Sequence, residues 1–381
     1  MLSVLSGLTR HPVTLHAVLA LLIPGSGLAD EADDRFRIAD ASQGDRGSVE
    51  RSDTDHVLQR KQNVMGTTLE ITIRAQNRSS ALTASEAATR AVAEAERRLS
   101  TWREDSELSA INNRESNRPV EISDMLARDL DNALYWSRKT SGSFSPTIGS
   151  LVSAWDLRGR GRDPSDAELR DARTASSIDG TIVVDRTLHF GQPGLRFEEG
   201  GFGKGAALRD AVDSALASGA SCVVLDFGGQ IAVGGDCRPM QIAISDPDNR
   251  HREIAELRLF EGSVATSGLS ERGFVVDGVR YGHILDPRSG TPAPDWGTVT
   301  VVAADPVVAD CLATALYVMG PTRGAEWLLG HTEIEAIFIQ RIGPKTEFTA
   351  TPGLMGRLEN TKEKVTYLPL RHQRTKSNRA D

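Results

Sequence analysis

The chain has 381 residues, 25% of them charged and 39% apolar, and a formal charge of -8. That acidity, with no basic motif to offset it, excludes general nucleic-acid binding. A small anionic ligand is not excluded, because its binding depends on local donors and metals rather than on net charge.

Residues 1–29 read as an export signal. Arg10 precedes an apolar run from Val13 to Ile23, followed by Pro24, Gly25 and the small-residue pattern Gly27-Leu28-Ala29. A run of about eleven residues is short for a bilayer span, so cleavage is expected over retention as an anchor. No cysteine follows the cleavage site and no twin-arginine pair is present, which points to the general secretory route. Residues 30–60 are rich in Asp, Glu, Arg and Ser without apolar periodicity and read as a charged linker. The folded domain is expected over residues 61–358, with 359–381 as a basic, disordered tail.

Within the domain, Thr67 to Ile73 alternates as a strand does. Thr83 and Glu86 form a capping-box pattern ahead of a helix whose apolar positions are Ala88, Ala91, Val92, Ala95 and Leu99. A second helix is expected from Met125 to Lys139, ending near Gly142. Val183-Val184 starts a short strand, and Gly205 to Leu216 reads as a helix stopped by Gly219. Strands are expected at Val223 to Leu225, Gln230 to Val233, Ile242 to Ile244, Ser263 to Thr266, Phe274 to Val276 and Thr298 to Val302. Asp305 to Met319 reads as a helix, and Ala336 to Ile339 as a late strand. Antiparallel-looking strands with intervening helices indicate an α+β fold rather than a regular βαβ series. Cys222, Cys237 and Cys311 lack metal-ligand spacing, and three cannot all pair within one chain. Cys222 and Cys237 flank an expected hairpin, which leaves a bridge open; three free or buried thiols is the reading favoured.

Three segments carry chemistry-bearing residues. Glu198-Glu199-Gly200-Gly201-Phe202-Gly203-Lys204-Gly205 runs into a helix, where glycines admit close backbone approach and helix-start amides favour phosphate oxygens. It is neither a Walker A loop nor a dinucleotide fingerprint, and it equally fits an ordinary strand-to-helix turn. Tyr281 to Gly290 places His283 three residues before Asp286, a base with an orienting carboxylate, or else simply a turn. In the helix after Asp305, Asp310 and Thr314 share one face. A carboxylate and a hydroxyl on a mostly apolar helix suit a hard cation such as Mg²⁺. A dipole-complementing Asp and a back-bonding Thr would look the same.

Taken together and in order, these segments resemble the FAD:protein FMN transferase family, also called ApbE-like. Further segments extend the resemblance over roughly Asn63 to Leu358. They are Met65-Gly66-Thr67; Leu99 to Trp102 with Ser106-Glu107-Leu108 and Ile111-Asn112; Gly142 to Gly149 with Leu151 and Trp155; Val264 to Gly268; and Gly282 to Pro292.

The resemblance implies an ApbE-like two-lobed fold, with mixed and antiparallel sheets flanked by helices and FAD between the lobes. It implies a Mg²⁺-dependent flavin transferase that moves FMN from FAD, its substrate, to a Thr or Ser hydroxyl of a target protein through a phosphoester bond, releasing AMP. Met65, Trp102, Ser143, Phe144, Ser145 and Ile284 would lie along the flavin, with Glu198 and Lys204 at the nucleotide or its phosphates and Thr266 close to the cofactor. Asp310, Thr314 and the Gly201 carbonyl would hold Mg²⁺. His283 would act as base, with Asp286 orienting it or the metal. The implied partners are exported flavin-acceptor domains of membrane redox complexes, with an acceptor motif resembling D-x-x-T/S-G/S-A-T, and the implied location is periplasmic or otherwise extracytoplasmic. Ser145 and Glu198 depart from the family, which usually has Asp at both. An FAD pyrophosphatase releasing FMN and AMP, and a non-catalytic periplasmic FAD-binding protein, are the alternatives.

Overall fold

Leu69, Ile71 and Ile73 of the strand Thr67–Ala75 are fully buried, and the residues between them are half-exposed. That period of two places the strand in a sheet packed on its apolar face. The computed structural model describes residues 36–37, 55–269, 273–276, 278–343 and 345–369, and the export-signal reading of residues 1–29 lies outside them. Among the described residues the main sheet has nine strands. Their spatial order is Val365–Tyr367, Lys345–Ala350, Glu335–Ile342, Gly297–Ala303, Gly262–Gly268, Gln230–Gly235, Cys222–Phe227, Thr67–Ala75 and His56–Val64. Every pair is antiparallel except the first, Val365–Tyr367 on Lys345–Ala350, which is parallel.

The sheet is covered on both faces, so its central strands are apolar throughout. On one face Val223 and Leu225 meet Ala88 and Val92 of the helix Arg78–Leu99 and Ala207 and Ala211 of the helix Gly203–Ala217. On the other, Val224, Val233 and Val264 meet Ile242, Ile244, Leu257 and Leu259 of a smaller antiparallel sheet. Covering the large sheet with helices on one side and a second sheet on the other gives the α+β architecture. The helix Pro306–Leu328 is apolar on most sides and correspondingly buried. It breaks at Gly320, whose φ is 77°, where Pro321 follows. Beneath it one apolar cluster joins Phe144, Phe197, Phe202, Ala265, Ile284 and Leu312.

A buried ionic network ties three helices together. Arg98 donates to Asp129 at 2.8 Å and to Asp210 at 2.7 Å, and Arg209 donates to Asp129 at 2.5 Å. These residues lie on Arg78–Leu99, Asp124–Lys139 and Gly203–Ala217. Removing one partner would strand a buried charge, so the network fixes how the helices meet.

Several expectations are corrected. Helix Arg78–Leu99 starts well before Thr83, with Asn77 as its N-cap accepting from the Ser80 N–H. Residues 56–60, assigned to the linker, belong to the strand His56–Val64, an edge of the main sheet. The tail expected from residue 359 is structured in part, because Val365–Tyr367 pairs with Phe348 to Ala350. Cys222 and Cys237 are bridged, against the favoured reading of three thiols, and Cys311 is free and buried. Cys222 opens its strand in register with Gly235, the last residue of the adjacent antiparallel strand, and Cys237 follows two residues beyond that end.

Candidate functional site

The centre of the site is the turn from Glu198 into the helix Gly203–Ala217. The N-cap residue Phe202 makes no side-chain cap, and the Gly203 N–H donates to the Glu199 carbonyl at 2.7 Å, which leaves the next amides to other acceptors. One is taken by Asp310: the Gly205 N–H donates to Asp310 Oδ2 at 2.9 Å, while Lys204 Nζ lies 3.8 Å from Oδ1. Glycine is required at 205 because an added Cβ would lie 2.4 Å from the Pro306 carbonyl oxygen and 2.7 Å from Val307 Cα. Gly201 is confined less severely, by side chains: a Cβ there would approach Phe144 Cε2 at 3.0 Å and Thr314 Oγ1 at 3.3 Å. The turn therefore brings Gly201, Lys204, Phe144, Asp310 and Thr314 together from three parts of the chain.

Met65 reaches the same place from the sheet edge. Met65 and Gly66, with φ of 48° and 70°, form the tight turn between the first two strands of the main sheet. The Met65 N–H donates to Glu96 Oε1 at 3.0 Å, and its Cε lies 3.7 Å from a Cβ built on Gly203.

Glu198 is held from the other side. Its Oε2 accepts from Arg158 Nη2 at 2.5 Å, and the same guanidinium sits 4.8 Å over the ring of Trp102, which is 64% exposed. Arg158 also donates to the Thr101 carbonyl at 2.7 Å, and the Thr101 amide donates to Glu199 Oε1 at 3.1 Å. Burial, with the neighbouring Glu199 carboxylate adding to it, pushes the Glu198 carboxyl up to about 7, against the pull of Arg158. Thr101 and Glu199 lie in segments that the sequence singled out but were given no role, and Arg158 is a site neighbour that sequence reasoning missed. Glu199 was adjacent to a named residue, but Arg158 has no local signal: it lies in a polar loop and arrives by tertiary packing.

Asp310 is 5% exposed, and burial raises its pKa while Lys204 and the Lys204 and Gly205 amides lower it. A buried carboxylate with a single lysine 3.8 Å away has capacity for a further cation. Among the described residues no three His, Cys, Asp or Glu side chains converge. A metal here would therefore rest on oxygens alone: one carboxylate, the Thr314 hydroxyl, the Gly201 backbone and oxygens of a ligand. That donor set fits Mg²⁺, which commonly binds through one or two carboxylates and substrate phosphates.

The segment after the hairpin Gly273–Gly282 is less closely drawn in. His283 is exposed, Ile284 is buried, and Ala293 N–H donates to the Ile284 carbonyl at 2.8 Å. The Asp286 carboxylate accepts from the Arg288 backbone at 2.9 Å and from its Nε and Nη2 at 2.8 Å each. Its oxygens thus go to its own turn. Thr266 pairs across strands with Thr300, hydroxyl to hydroxyl at 2.9 Å. Ser143 is buried with its hydroxyl unpaired, and the Ser145 hydroxyl meets Thr147 Oγ1 at 2.9 Å.

The sequence model of the ApbE family matches residues 65–338, which span all of these groups. The chain belongs to the ApbE family. The FAD:protein FMN transferase of Treponema pallidum is 31% identical over 281 residues, covering 68% of this chain and 77% of that protein. The FAD:protein FMN transferase of Vibrio cholerae is 33% identical over 234 residues, covering 59% and 70%. Among solved structures, the flavin transferase ApbE from Vibrio cholerae superposes with a TM-score of 0.70 at 27% identity, covering 80% of this chain and 99% of that one. The Pseudomonas stutzeri flavinyl transferase ApbE in its apo form gives 0.70 at 25% identity, covering 80% and 97%.

Proposed function

We propose that this chain transfers FMN from FAD to a threonine or serine hydroxyl of an exported acceptor protein and releases AMP. The observation that carries the reading is the meeting of Lys204, Gly205 and Asp310 beside Gly201 and Thr314, in a chain whose relatives bear the name FAD:protein FMN transferase. FAD is the substrate, its flavin lying between two lobes along Met65, Trp102, Ser143, Phe144, Ser145 and Ile284, close to Thr266. Glu198 and Lys204 face the nucleotide and its phosphates.

Asp310, Thr314 and the Gly201 carbonyl would hold Mg²⁺, which when bound supplies charge neutralisation at the pyrophosphate. The acceptor hydroxyl oxygen bonds to the phosphorus on the FMN side. The bond from that phosphorus to the bridging oxygen breaks, and AMP departs with the bonding pair. His283, which is exposed, takes the hydroxyl proton. Asp286, bound to Arg288, shapes the turn that follows His283. Lys204 steadies the charge on the departing AMP.

Export through residues 1–29 is part of this proposal, with acceptor domains of membrane redox complexes as partners in the periplasm or another extracytoplasmic space. The Cys222–Cys237 bridge supports an oxidising location. The test combines purified protein, FAD, Mg²⁺ and a small domain bearing the D-x-x-T/S-G/S-A-T motif, read by intact mass and in-gel flavin fluorescence. An FMN mass on the threonine with AMP released is expected. Free FMN with an unmodified domain would make the chain an FAD pyrophosphatase, and bound but uncleaved FAD would make it a binding protein.

A further inference from the structure

We propose that Gln230 is a positioning residue for Asp310, holding the first turn of the helix Pro306–Leu328 so that the Asp310 carboxylate stays aimed at the turn from Gly201 to Lys204. Gln230 opens the strand Gln230–Gly235 and faces the helices rather than the smaller sheet, as does Ala232 two residues on. It is 2% exposed. Its Nε2 donates to the Pro306 carbonyl at 2.8 Å and reaches Ser263 Oγ at 3.4 Å. The opposite amide orientation would set two oxygens against each other, so the nitrogen belongs at Pro306.

The carbonyl that Gln230 grips makes two further contacts. In the helix ladder the Pro306 oxygen is the acceptor for the amide four residues on, which is that of Asp310 itself. The same oxygen is the wall that excludes a side chain at Gly205, 2.4 Å from a Cβ built there. Gly205 in turn donates to Asp310 Oδ2. One carboxamide therefore bears on both groups whose bond directs the Asp310 carboxylate. It does so from a fixed base. The hairpin turn that ends at Gln230 runs through Gly228 and Gly229, with φ of 60° and 88°, and the Gly229 N–H donates to Asp226 Oδ1 at 2.8 Å. A Cβ on Gly228 would lie 2.6 Å from Thr67 Oγ1, so the turn is seated against the strand that follows Met65.

Stability alone does not call for a glutamine here. Among the described residues its Oε1 is buried without a hydrogen-bond partner, which costs free energy. The Pro306 carbonyl keeps its helical bond with or without the side chain, and Ser263 Oγ keeps its own bond to the Ile231 carbonyl at 2.7 Å. An apolar side chain of the same length would leave no polar group newly unpaired. What only the carboxamide supplies is a fixed direction for that carbonyl, and a catalytic group displaced by about 1 Å can cost about 100-fold in rate. The proposal rests on the flavin-transfer reading only for what the aimed carboxylate then does.

The test compares the purified wild-type protein with Gln230→Met, and with Gln230→Leu as a second apolar variant. Amide hydrogen exchange resolved by NMR reads the Gly205 N–H, with that of Leu225 in the adjacent core strand as reference. In Gln230→Met the Gly205 amide is expected to exchange faster by about tenfold or more, with Leu225 and the melting temperature unchanged. A purely stabilising role would speed Leu225 as well. FMN transfer is expected to fall by about tenfold or more, and Gln230→Met should lower it no further in an Asp310→Asn background. An unchanged Gly205 amide, acceleration of both amides, or additive losses in the double variant would overturn the proposal. So would failure of both apolar variants to fold, which would assign Gln230 to stability. A wild type that neither transfers FMN nor cleaves FAD would sink the flavin reading instead, and the exchange comparison would still decide the role of Gln230.

Discussion

The backbone amide of Gly205 and the carboxylate of Asp310 are joined at 2.9 Å across two helix starts, with the Pro306 backbone packed on the same glycine. A loop that on its own would be a flexible Gly-rich turn is thereby fixed to the helix that carries Thr314. The bond also directs Asp310 Oδ2 towards the helix and leaves Oδ1 facing Lys204.

Asp310→Asn should separate chemistry from stability. Transfer of FMN is expected to fall by about 100-fold or more, because the amide carries no charge for a cation or for Lys204. The melting temperature should stay level or rise, since burial already disfavours the ionised carboxylate. Parallel rate assays and thermal melts check both halves.

Gly205→Ala is expected to destabilise the fold by about 1–3 kcal/mol, because its methyl would press on the Pro306 carbonyl and Val307 Cα. Gly330→Ala, where the nearest atom to a built Cβ is the Trp327 carbonyl at 3.5 Å, is the control and should shift stability by less than about 0.5 kcal/mol. Urea unfolding of the two variants side by side measures the difference.

Glu198 gives a pH dependence whose sign is set by its raised pKa. The folded state keeps a proton up to about 7, whereas the ordinary carboxyl releases it at 4.5. The folded form therefore binds more protons across that window, and its contribution to stability is full below 4.5 and lost as pH rises through 7. Glu198→Gln should flatten the fall in melting temperature between these pH values, by about 3 °C or more. A slope unchanged in the variant would assign the titration to another group.

Reduction should weaken the protein through one bridge. Cys222 and Cys237 are 15 residues apart, a loop for which chain entropy gives about 3 kcal/mol. Dithiothreitol is expected to lower the urea midpoint of the wild type and to leave a Cys222→Ser/Cys237→Ser variant unmoved.

The sequence made the buried strands legible because their residues repeat with period two, as at Leu69, Ile71 and Ile73. It concealed the edge strand His56–Val64, whose polar run Gln59, Arg60, Lys61 and Gln62 carries no apolar alternation and suits an exposed edge. Thr83 and Glu86 imitated a helix start because Ala81 and Ala84, on either side of Thr83, are too small to signal a core, although both are buried. In the site, Asp310 and Thr314 were readable from helical spacing. Arg158 was not, since nothing in its own stretch shows that it would meet Glu198 and Trp102. The Cys222–Cys237 bridge was left open because spacing alone does not show that two strand ends face each other.

The strand Val365–Tyr367 closes one margin of the main sheet by pairing with Lys345–Ala350. A protein trimmed at Leu358, the end of the domain as composition draws it, would bare the amides and carbonyls of that strand. It would also strip Val365 and Tyr367 from the apolar cluster around buried Phe348. Such a truncation would offer a template for chain-to-chain pairing, so this short strand guards solubility as well as finishing the sheet.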